Sequence, residues 1–359
     1  MKPLTNRSPQ HIHFGVNQSE LLRERIEIRR QAVNSPVIWL VDCFFKENPL
    51  NIDVSRDADD CWIYVDTSTE PSIELVDQYV KETDKIKAPC AVVAIGGGST
   101  MDIAKALANL KTNPGKAEDY QGWDLVQNAA PWKIAIPTLS GTGSEGSRTC
   151  VMVNQKKGLK LGMNSPHTVF DELILDPSLS KSVPRLQYFY TGMDTYIHCI
   201  ESLKGNYRHA LSDAWSREAL ALCREVFTSN DMMSDDSREK MMTASLLGGM
   251  AIGNSLVGLV HPFSAGLSMV HHSRHGVSNC VALRALEEYY PDAAKEMLEF
   301  TKIQGITLPD SMNIDLDEKG FNRLRESTII HTKPLENALG SAWREILSDT
   351  KIRQIFKGI

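Results

Sequence analysis

The sequence lacks the features that mark several classes of protein. Its seven cysteines are dispersed and form no C-x-x-C pair, which favours free thiols in a reducing compartment over a disulfide framework. Basic residues are not in excess: 39 Lys+Arg against 45 Asp+Glu give a net charge of −6, unlike a dedicated nucleic-acid binder. No apolar run reaches a membrane span of roughly 18 residues, and the first residues contain no signal-peptide core. We therefore expect a cytoplasmic protein with neither nucleic acid nor membrane as partner.

The 359 residues are enough for two domains. Short apolar runs that read as buried strands lie at residues 37–41, 62–65, 90–95 and 133–136. Helical patterns between them, at residues 20–32, 72–85 and 100–110, indicate βαβ units and a parallel sheet. Beyond residue 184 long helical patterns dominate, at residues 186–203, 209–227, 237–261 and 276–304. The sequence predicts an α/β domain over residues 1–183 and an all-α domain over residues 184–359.

Two glycine-rich turns each follow a predicted strand. The first, GGGS at residues 96–99, precedes a helix, so its backbone N–H groups and the helix dipole favour a phosphate. The second is PTLSGTGSE at residues 137–145. Ligands of open α/β sheets bind at the carboxyl ends of strands, so the pair predicts a phosphate-bearing ligand, although glycine turns also simply reverse a chain. No G-K-[ST] follows GGGS, which disfavours a P-loop kinase.

Asp42 ends the first predicted strand. An acid at this place in a nucleotide domain can bind a ribose 2′-OH and repel a 2′-phosphate, which favours NAD(H) over NADP(H). A surface turn explains Asp42 equally well. Asp102, in the first turn of the helix after GGGS, is also typical of an acid that stabilises the helix dipole.

Asp194 and His198 are four residues apart on a predicted helix and so share one face. With His261 and His275 they offer one carboxylate and three imidazoles, a set suited to Fe²⁺ or Zn²⁺ with a position open for substrate. A D-x-x-x-H pair alone is commonly structural. What strengthens the hypothesis is that four of the ten histidines fall within fifteen residues: His261, His271, His272 and His275.

Five motifs together resemble the iron-containing, or group III, alcohol dehydrogenases. They are AIGGGSTMDIAKA (94–106), PTLSGTGSE (137–145), LDPSL (175–179), GMDTYIHCIE (192–201) and LVHPFSAGLSMVHHSRHG (259–276). The resemblance covers most of the chain, from about residue 14 to residue 276. It implies a dehydroquinate synthase-like architecture: a Rossmann-like domain, a helical domain, and NAD(P) with a divalent metal in the cleft between them. It also favours a homodimer.

The resemblance implies roles for individual residues. The metal ligands would be Asp194, His198, His261 and His275. The dinucleotide contacts would be Asp42, Gly97, Gly98, Ser99, Asp102, Thr138, Ser140, Thr142 and Ser144, with Lys160 near the cofactor.

Two departures from the family pattern bear on the reaction. Most family dehydrogenases carry another histidine four residues after the one matched by His261, where this chain has Ala265. His271 or His272 could take over proton transfer, as could water and the ribose hydroxyls, and surface polarity explains both histidines equally well. Only 84 residues follow His275, fewer than is usual in the family. Both departures look most like the branch that includes 3-deoxy-D-manno-octulosonate (Kdo) 8-oxidase of lipopolysaccharide biosynthesis.

The sequence thus predicts a metal-dependent oxidoreductase that oxidises a primary alcohol to an aldehyde by hydride transfer to nicotinamide, with a sugar acid such as Kdo, oxidised at C8, as substrate. A dehydrogenase or reductase of a small alcohol or aldehyde is the alternative within the family. From another class, a dehydroquinate synthase-like lyase would share the fold, although those enzymes characteristically carry a Glu where Asp194 stands. A non-enzymatic binding protein would be expected to lose metal ligands.

Overall fold

The structure is a computed structural model that describes residues 7–50, 52, 54, 56–312 and 317–359. The chain folds into two compact units. Unit 1 holds the described residues up to Lys157 together with Leu161–Val183, and unit 2 holds Gly158–Lys160 and Pro184–Ile359.

Unit 1 is built on a six-stranded sheet of order β1-β9-β6-β4-β2-β3, in which every pair is parallel. A smaller sheet has the order β5-β8-β7. The strands are β1 (His11–Phe14), β2 (Val37–Asp42), β3 (Cys61–Val65), β4 (Ala91–Gly96), β5 (Gly122–Trp123), β6 (Lys133–Pro137), β7 (Thr149–Asn154), β8 (Leu159–Asn164) and β9 (Glu172–Leu175). The predicted parallel α/β sheet is therefore confirmed.

The inner strands are apolar on both faces because helices can cover a parallel sheet on each side. Trp39 on β2, Val93 on β4 and Ile134 on β6 are fully buried and belong to one core cluster. The crossover helices of this unit are α1 (Leu22–Ala32), α2 (Ile73–Glu82) and α3 (Gly98–Leu110). Because β4 ends at Gly96 and α3 starts at Gly98, within the GGGS motif, the N-terminus of the helix lies at the carboxyl end of β4.

Unit 2 is helical from residue 184 onward. Its helices are α4 (Arg185–Lys204), α5 (Ala210–Thr228), α6 (Asp235–Ser255), α7 (Val260–His271), α8 (His275–Ala285), α9 (Pro291–Gln304), α10 (Glu318–Ile329), α11 (Thr332–Leu339), α12 (Trp343–Ile346) and α13 (Asp349–Lys357).

Two predicted helices are each divided in the structure. The pattern at 237–261 breaks after Ser255 because Leu256 adopts a left-handed φ of 63°, and a new helix begins at Val260. His261 therefore stands in the first turn of α7 and does not end α6. The pattern at 276–304 breaks before Pro291, which occupies the first turn of α9, where a missing N–H is tolerated.

All seven cysteines are free thiols. Among the described residues no single helix has the length and hydropathy of a membrane span, although α6 and α7, bent by 103°, would meet both criteria together.

Candidate functional site

The four predicted metal ligands come together in unit 2. Helix α4 carries Asp194 and His198 one turn apart, while His261 and His275 stand at the start of α7 and α8. The Oδ1 atom of Asp194 lies 3.3 Å from Nε2 of His261 and 3.4 Å from Nε2 of His198. Nε2 of His275 lies 3.7 Å from the same oxygen. Three imidazoles thus converge on one carboxylate.

Helix α8 reaches this carboxylate because Gly276 lets it approach α4 closely. A Cβ at Gly276 would lie 2.6 Å from the carbonyl oxygen of Tyr190. Any side chain there would push the helix start, and His275 with it, away from Asp194.

The donor set fits a divalent cation. Asp194, His261 and His275 each offer a ligand atom within 4.8 Å of the others, and His198 joins through its 3.4 Å approach to Asp194. Ligand atoms bound at about 2.0–2.1 Å to a tetrahedral ion lie about 3.4 Å apart, close to the spacing found here. Nitrogen and carboxylate donors suit Fe²⁺ and Zn²⁺ alike.

The charges around the site point to the same conclusion. Burial would raise the pKa of Asp194, but His198, His275 and His261 lower it well below its usual range. Burial lowers the pKa of His198 to about 4, so its imidazole is neutral at neutral pH and has one ring nitrogen with a free lone pair. Burial would also lower the pKa of His261, yet Glu201 and Asp194 raise it to about 10. A proton on His261 therefore occupies the place of a cation, and metal uptake would release it.

Two side chains that the sequence predictions missed orient the ligands. Glu201 is fully buried, and its carboxylate contacts Nδ1 of His261 and accepts the backbone N–H of Val260. Asn279 donates from Nδ2 to Oδ1 of Asp194 at 2.6 Å. Such partners fix the tautomer and direction of metal ligands. The helical spacing could have identified Glu201, which follows His198 by three residues on the same face of α4.

In unit 1 the two glycine-rich turns touch each other. A Cβ at Gly98 would lie 2.9 Å from Cγ2 of Thr142, so only glycine allows this approach. Gly97 is the N-cap residue of α3 and supplies no side-chain cap, which leaves the helix N-terminus available to an anion. The hydroxyls of Thr100 and Ser140 are buried without a hydrogen-bond partner among the described residues. Unsatisfied donors at two adjoining turns fit a dinucleotide phosphate.

Asp42 and Asp102, the two acidic residues of unit 1 that were predicted to contact the dinucleotide, both accept hydrogen bonds from other residues of the protein. Asp42 ends β2, and its Oδ1 accepts hydrogen bonds from the backbone N–H of Phe44 at 3.0 Å and the hydroxyl of Thr67 at 2.9 Å. Asp102 accepts from the hydroxyl of Ser144 at 2.5 Å and from the backbone N–H of Val151 at 2.8 Å. Asp102 therefore ties the second turn to α3.

Three further predicted residues are Lys160, His271 and His272. Lys160 is buried on β8 and belongs by its contacts to unit 2. His271 ends α7, about 15 Å along the helix axis from His261 at 1.5 Å per residue, and His272 follows as an exposed residue with a left-handed φ of 51°. The structure does not bring either of them into the ligand cluster. Ala265 lies one turn after His261 and is 6% exposed.

The fold is that of solved alcohol dehydrogenases. A 1,3-propanediol oxidoreductase matches 99% of both chains with a TM-score of 0.82 at 22% identity. A sulfoacetaldehyde reductase from Bifidobacterium kashiwanohense in complex with NAD⁺ matches 99% of this chain and 98% of its own, with a TM-score of 0.81 at 22% identity. These likenesses identify the fold: a Rossmann-like domain with a parallel sheet and a helical C-terminal domain.

The sequence identifies the family. Residues 9–177 match the iron-containing alcohol dehydrogenase family and residues 188–314 match the C-terminal part of the Fe-containing alcohol dehydrogenase family. The chain belongs to the iron-containing alcohol dehydrogenases. A divalent metal and NAD(H) are the cofactors of this family.

Curated relatives are alcohol dehydrogenases and an aldehyde reductase. The 1-propanol dehydrogenase PduQ of Salmonella typhimurium is 30% identical over 77% of this chain and 74% of its own length. The sulfoacetaldehyde reductase of Bilophila wadsworthia is 32% identical over 60% of this chain, and Alcohol dehydrogenase 4 of Saccharomyces cerevisiae is 32% identical over 69%. The chain spans 56% and 66% of the lengths of these last two relatives.

Proposed function

We propose that the protein is a metal-dependent oxidoreductase that interconverts a primary alcohol and an aldehyde with NAD(H). The observation that carries the proposal is the convergence of three imidazoles and one carboxylate, with Glu201 and Asn279 holding two of the four donors. When bound, a divalent cation would polarise the substrate oxygen and the nicotinamide would carry the hydride.

The residues of the chain have positioning roles in this reaction. Asp194, His198, His261 and His275 would hold the cation, while Glu201 keeps Nε2 of His261 directed at Asp194. The turns around Gly98 and Thr142 would hold the phosphates, and Asp42 would favour NAD(H). Alignment of this kind is the main contribution a protein makes to hydride transfer.

For proton transfer, His271 and His272 remain the candidates that the sequence supplies. Because His271 lies about 15 Å along α7 from His261, a transfer from the metal centre would need intervening water or hydroxyl groups. Alanine variants of each histidine test this role: a fall in kcat without loss of metal supports it, and unchanged kcat in both rejects it.

For the substrate we propose a small polar alcohol or its aldehyde. The named activities of the relatives support this, since they include 1-propanol, 1,3-propanediol and sulfoacetaldehyde. The finer alternative is a sugar acid such as Kdo, oxidised at C8. It rests on the apolar Ala265, where most members of the family carry a second histidine.

A substrate panel tests both proposals. The purified protein is analysed for Fe and Zn, then incubated with NAD⁺ and 1-propanol, 1,3-propanediol or Kdo, and with NADH and sulfoacetaldehyde. Absorbance of NADH and production of peroxide are both followed, since peroxide would identify oxygen as final acceptor. A dehydroquinate synthase-like lyase would produce neither signal at steady state, and metal-free protein with full turnover would contradict the proposed metal centre.

We also propose a cellular location and an oligomeric state for the protein. The seven free thiols support a reducing, cytoplasmic location. A homodimer follows from the family resemblance, and light scattering after size-exclusion chromatography would measure it.

A further inference from the structure

A histidine outside the predicted site has a buried nitrogen that nothing in the protein satisfies. His331 connects α10 to α11, and its Nε2 atom is shielded from solvent without a hydrogen-bond partner among the described residues. The residue as a whole is half-buried. Buried polar atoms in proteins are nearly always paired, and an exception calls for an unseen partner.

The backbone holds His331 in place. Its N–H donates to the carbonyl of Thr328 at 3.3 Å, and its own carbonyl accepts from Leu335 at 3.1 Å. Helix α10 packs closely against α7, because a Cβ at Gly266 would lie 2.8 Å from Oγ1 of Thr328 and 3.1 Å from the carbonyl of Leu324. His331 thus follows directly from the helix that covers the one carrying His261.

Burial and two neighbouring basic side chains, Lys160 and His261, affect this imidazole. The segment Gly158–Lys160 is tied to the end of α10, where the hydroxyl of Ser327 donates to the carbonyl of Gly158 at 3.4 Å. Burial first, and then the charges of Lys160 and His261, lower the pKa of His331 to about 4. At neutral pH the ring therefore offers one donor and one acceptor nitrogen.

A hydroxyl group fits the unpaired nitrogen of His331. A hydroxyl can donate or accept, so it pairs with either tautomer of a neutral imidazole. The methyl group of Ala265 on α7 offers no such bond. We propose that His331 is a substrate-binding residue whose Nε2 atom hydrogen-bonds a hydroxyl of the alcohol near His261. This inference rests on the proposed oxidoreductase function and adds a substrate contact to it.

The test compares three variants of the Zn²⁺-loaded protein. His331→Leu removes the hydrogen bond, His331→Gln keeps a polar group at the end of the side chain, and Thr332→Ala changes the exposed neighbour as a control. Metal content and NADH affinity should equal those of the unmodified protein in all three. With NAD⁺ and 1,3-propanediol, we expect His331→Leu to raise KM about tenfold, the effect of one hydrogen bond, with KM largely restored in His331→Gln.

A second measurement does not depend on turnover. The ring nitrogen shifts of His331 are followed by NMR while 1,3-propanediol is added without NAD⁺, and we expect one nitrogen to move with saturation. An unmoved ring signal, an unchanged KM in His331→Leu, or loss of metal in that variant would each overturn the inference. If the unmodified protein turned over no alcohol, the proposed function would fail, and the NMR titration would decide the role of His331 alone.

Discussion

The carboxylate of Glu201 contacts Nδ1 of His261, and the other ring nitrogen of His261 lies 3.3 Å from Asp194. This relationship directs one nitrogen of the imidazole to the ligand cluster and the other to a buried acid. It joins α4 to α7 across the centre, because both acids come from α4 and the histidine from α7.

Glu201→Gln should weaken metal binding about 10–100-fold, the usual effect of losing a partner that orients a ligand. The amide can still accept from Val260 but no longer places a negative charge beside His261. Competition with a chelator followed by metal analysis measures the loss. Glu296→Gln serves as the matched control, since Glu296 binds Tyr196 and Arg224 instead. Equal affinity in the two variants would show that Glu201 does not orient His261.

His261→Ala should lose metal and activity together while the fold survives. The substitution removes the imidazole nitrogen nearest to Asp194 and leaves the helical packing in place. Metal analysis, turnover and far-ultraviolet circular dichroism are measured on the same sample. His209→Ala is the control, because His209 caps α5 in the same unit. Full metal occupancy with full turnover in His261→Ala would remove this histidine from the ligand set.

The parts of the metal centre that depend on spacing along one helix could be predicted from the sequence. The parts that depend on packing between helices could not. Asp194 and His198 share a face of α4 by their separation alone, so their pairing could be read from the sequence. Asn279 could not, because its role depends on α8 packing against α4. His331 is 70 residues beyond His261, and no local pattern connects them.

Two of the strands that the sequence did not predict, β1 and β9, have a physical explanation. Strand β1, with the sequence HIHF, is an edge strand of four residues, mostly exposed, and lacks the apolar run of a buried strand. Strand β9 has only four residues and begins with the buried acid Glu172. By contrast, β2 is apolar up to its last residue, Asp42, and β4 contains only apolar residues and glycine. Both strands were predicted to within one residue at each end.

Gly98→Ala should weaken NADH binding. The added methyl would lie 2.9 Å from Cγ2 of Thr142 and force the two turns apart. Fluorescence titration with NADH measures the affinity, and we expect a loss of about tenfold or more, since overpacking of this kind costs about 1–3 kcal/mol. Adding Thr142→Ser deletes the obstructing methyl and should restore part of the affinity. No recovery in the double variant would mean that the clash is not the cause.

Asp42→Ser should increase the use of NADP⁺ relative to NAD⁺. Removing a carboxylate at the end of β2 removes its repulsion of a 2′-phosphate, worth about 1–4 kcal/mol for nearby charges, so the preference should shift about tenfold or more. The ratio of kcat/KM for the two cofactors measures it. Asp66→Ser, which removes an exposed carboxylate after the neighbouring strand β3, is the control. A larger change of this ratio in Asp66→Ser than in Asp42→Ser would show that the residue after β3, and not the one ending β2, determines the choice of cofactor.

The buried carboxylate of Glu172 should make the stability of unit 1 depend on pH. It is fully buried on β9, and it accepts hydrogen bonds from Arg25, from His13 at 2.9 Å and from Nε1 of Trp132 at 3.1 Å. Burial alone would raise the pKa of Glu172, but these partners outweigh it and lower the pKa below the usual 4.5. The carboxylate therefore binds protons less readily in the folded state than in the unfolded state.

The stabilisation by Glu172 is complete above the unfolded pKa and is lost as the pH falls below about 4.5 through the folded value. Glu172→Gln should lower the free energy of unfolding at neutral pH by about 2–3 kcal/mol and flatten its fall in acid, because the amide cannot pair with Arg25 as a charge. Urea unfolding at a series of pH values measures both effects. Glu47→Gln, at an exposed position of the same unit, should change neither the free energy of unfolding at neutral pH nor its fall in acid. If the free energy of unfolding fell as steeply in acid for Glu172→Gln as for the unmodified protein, another group would be responsible for the pH dependence.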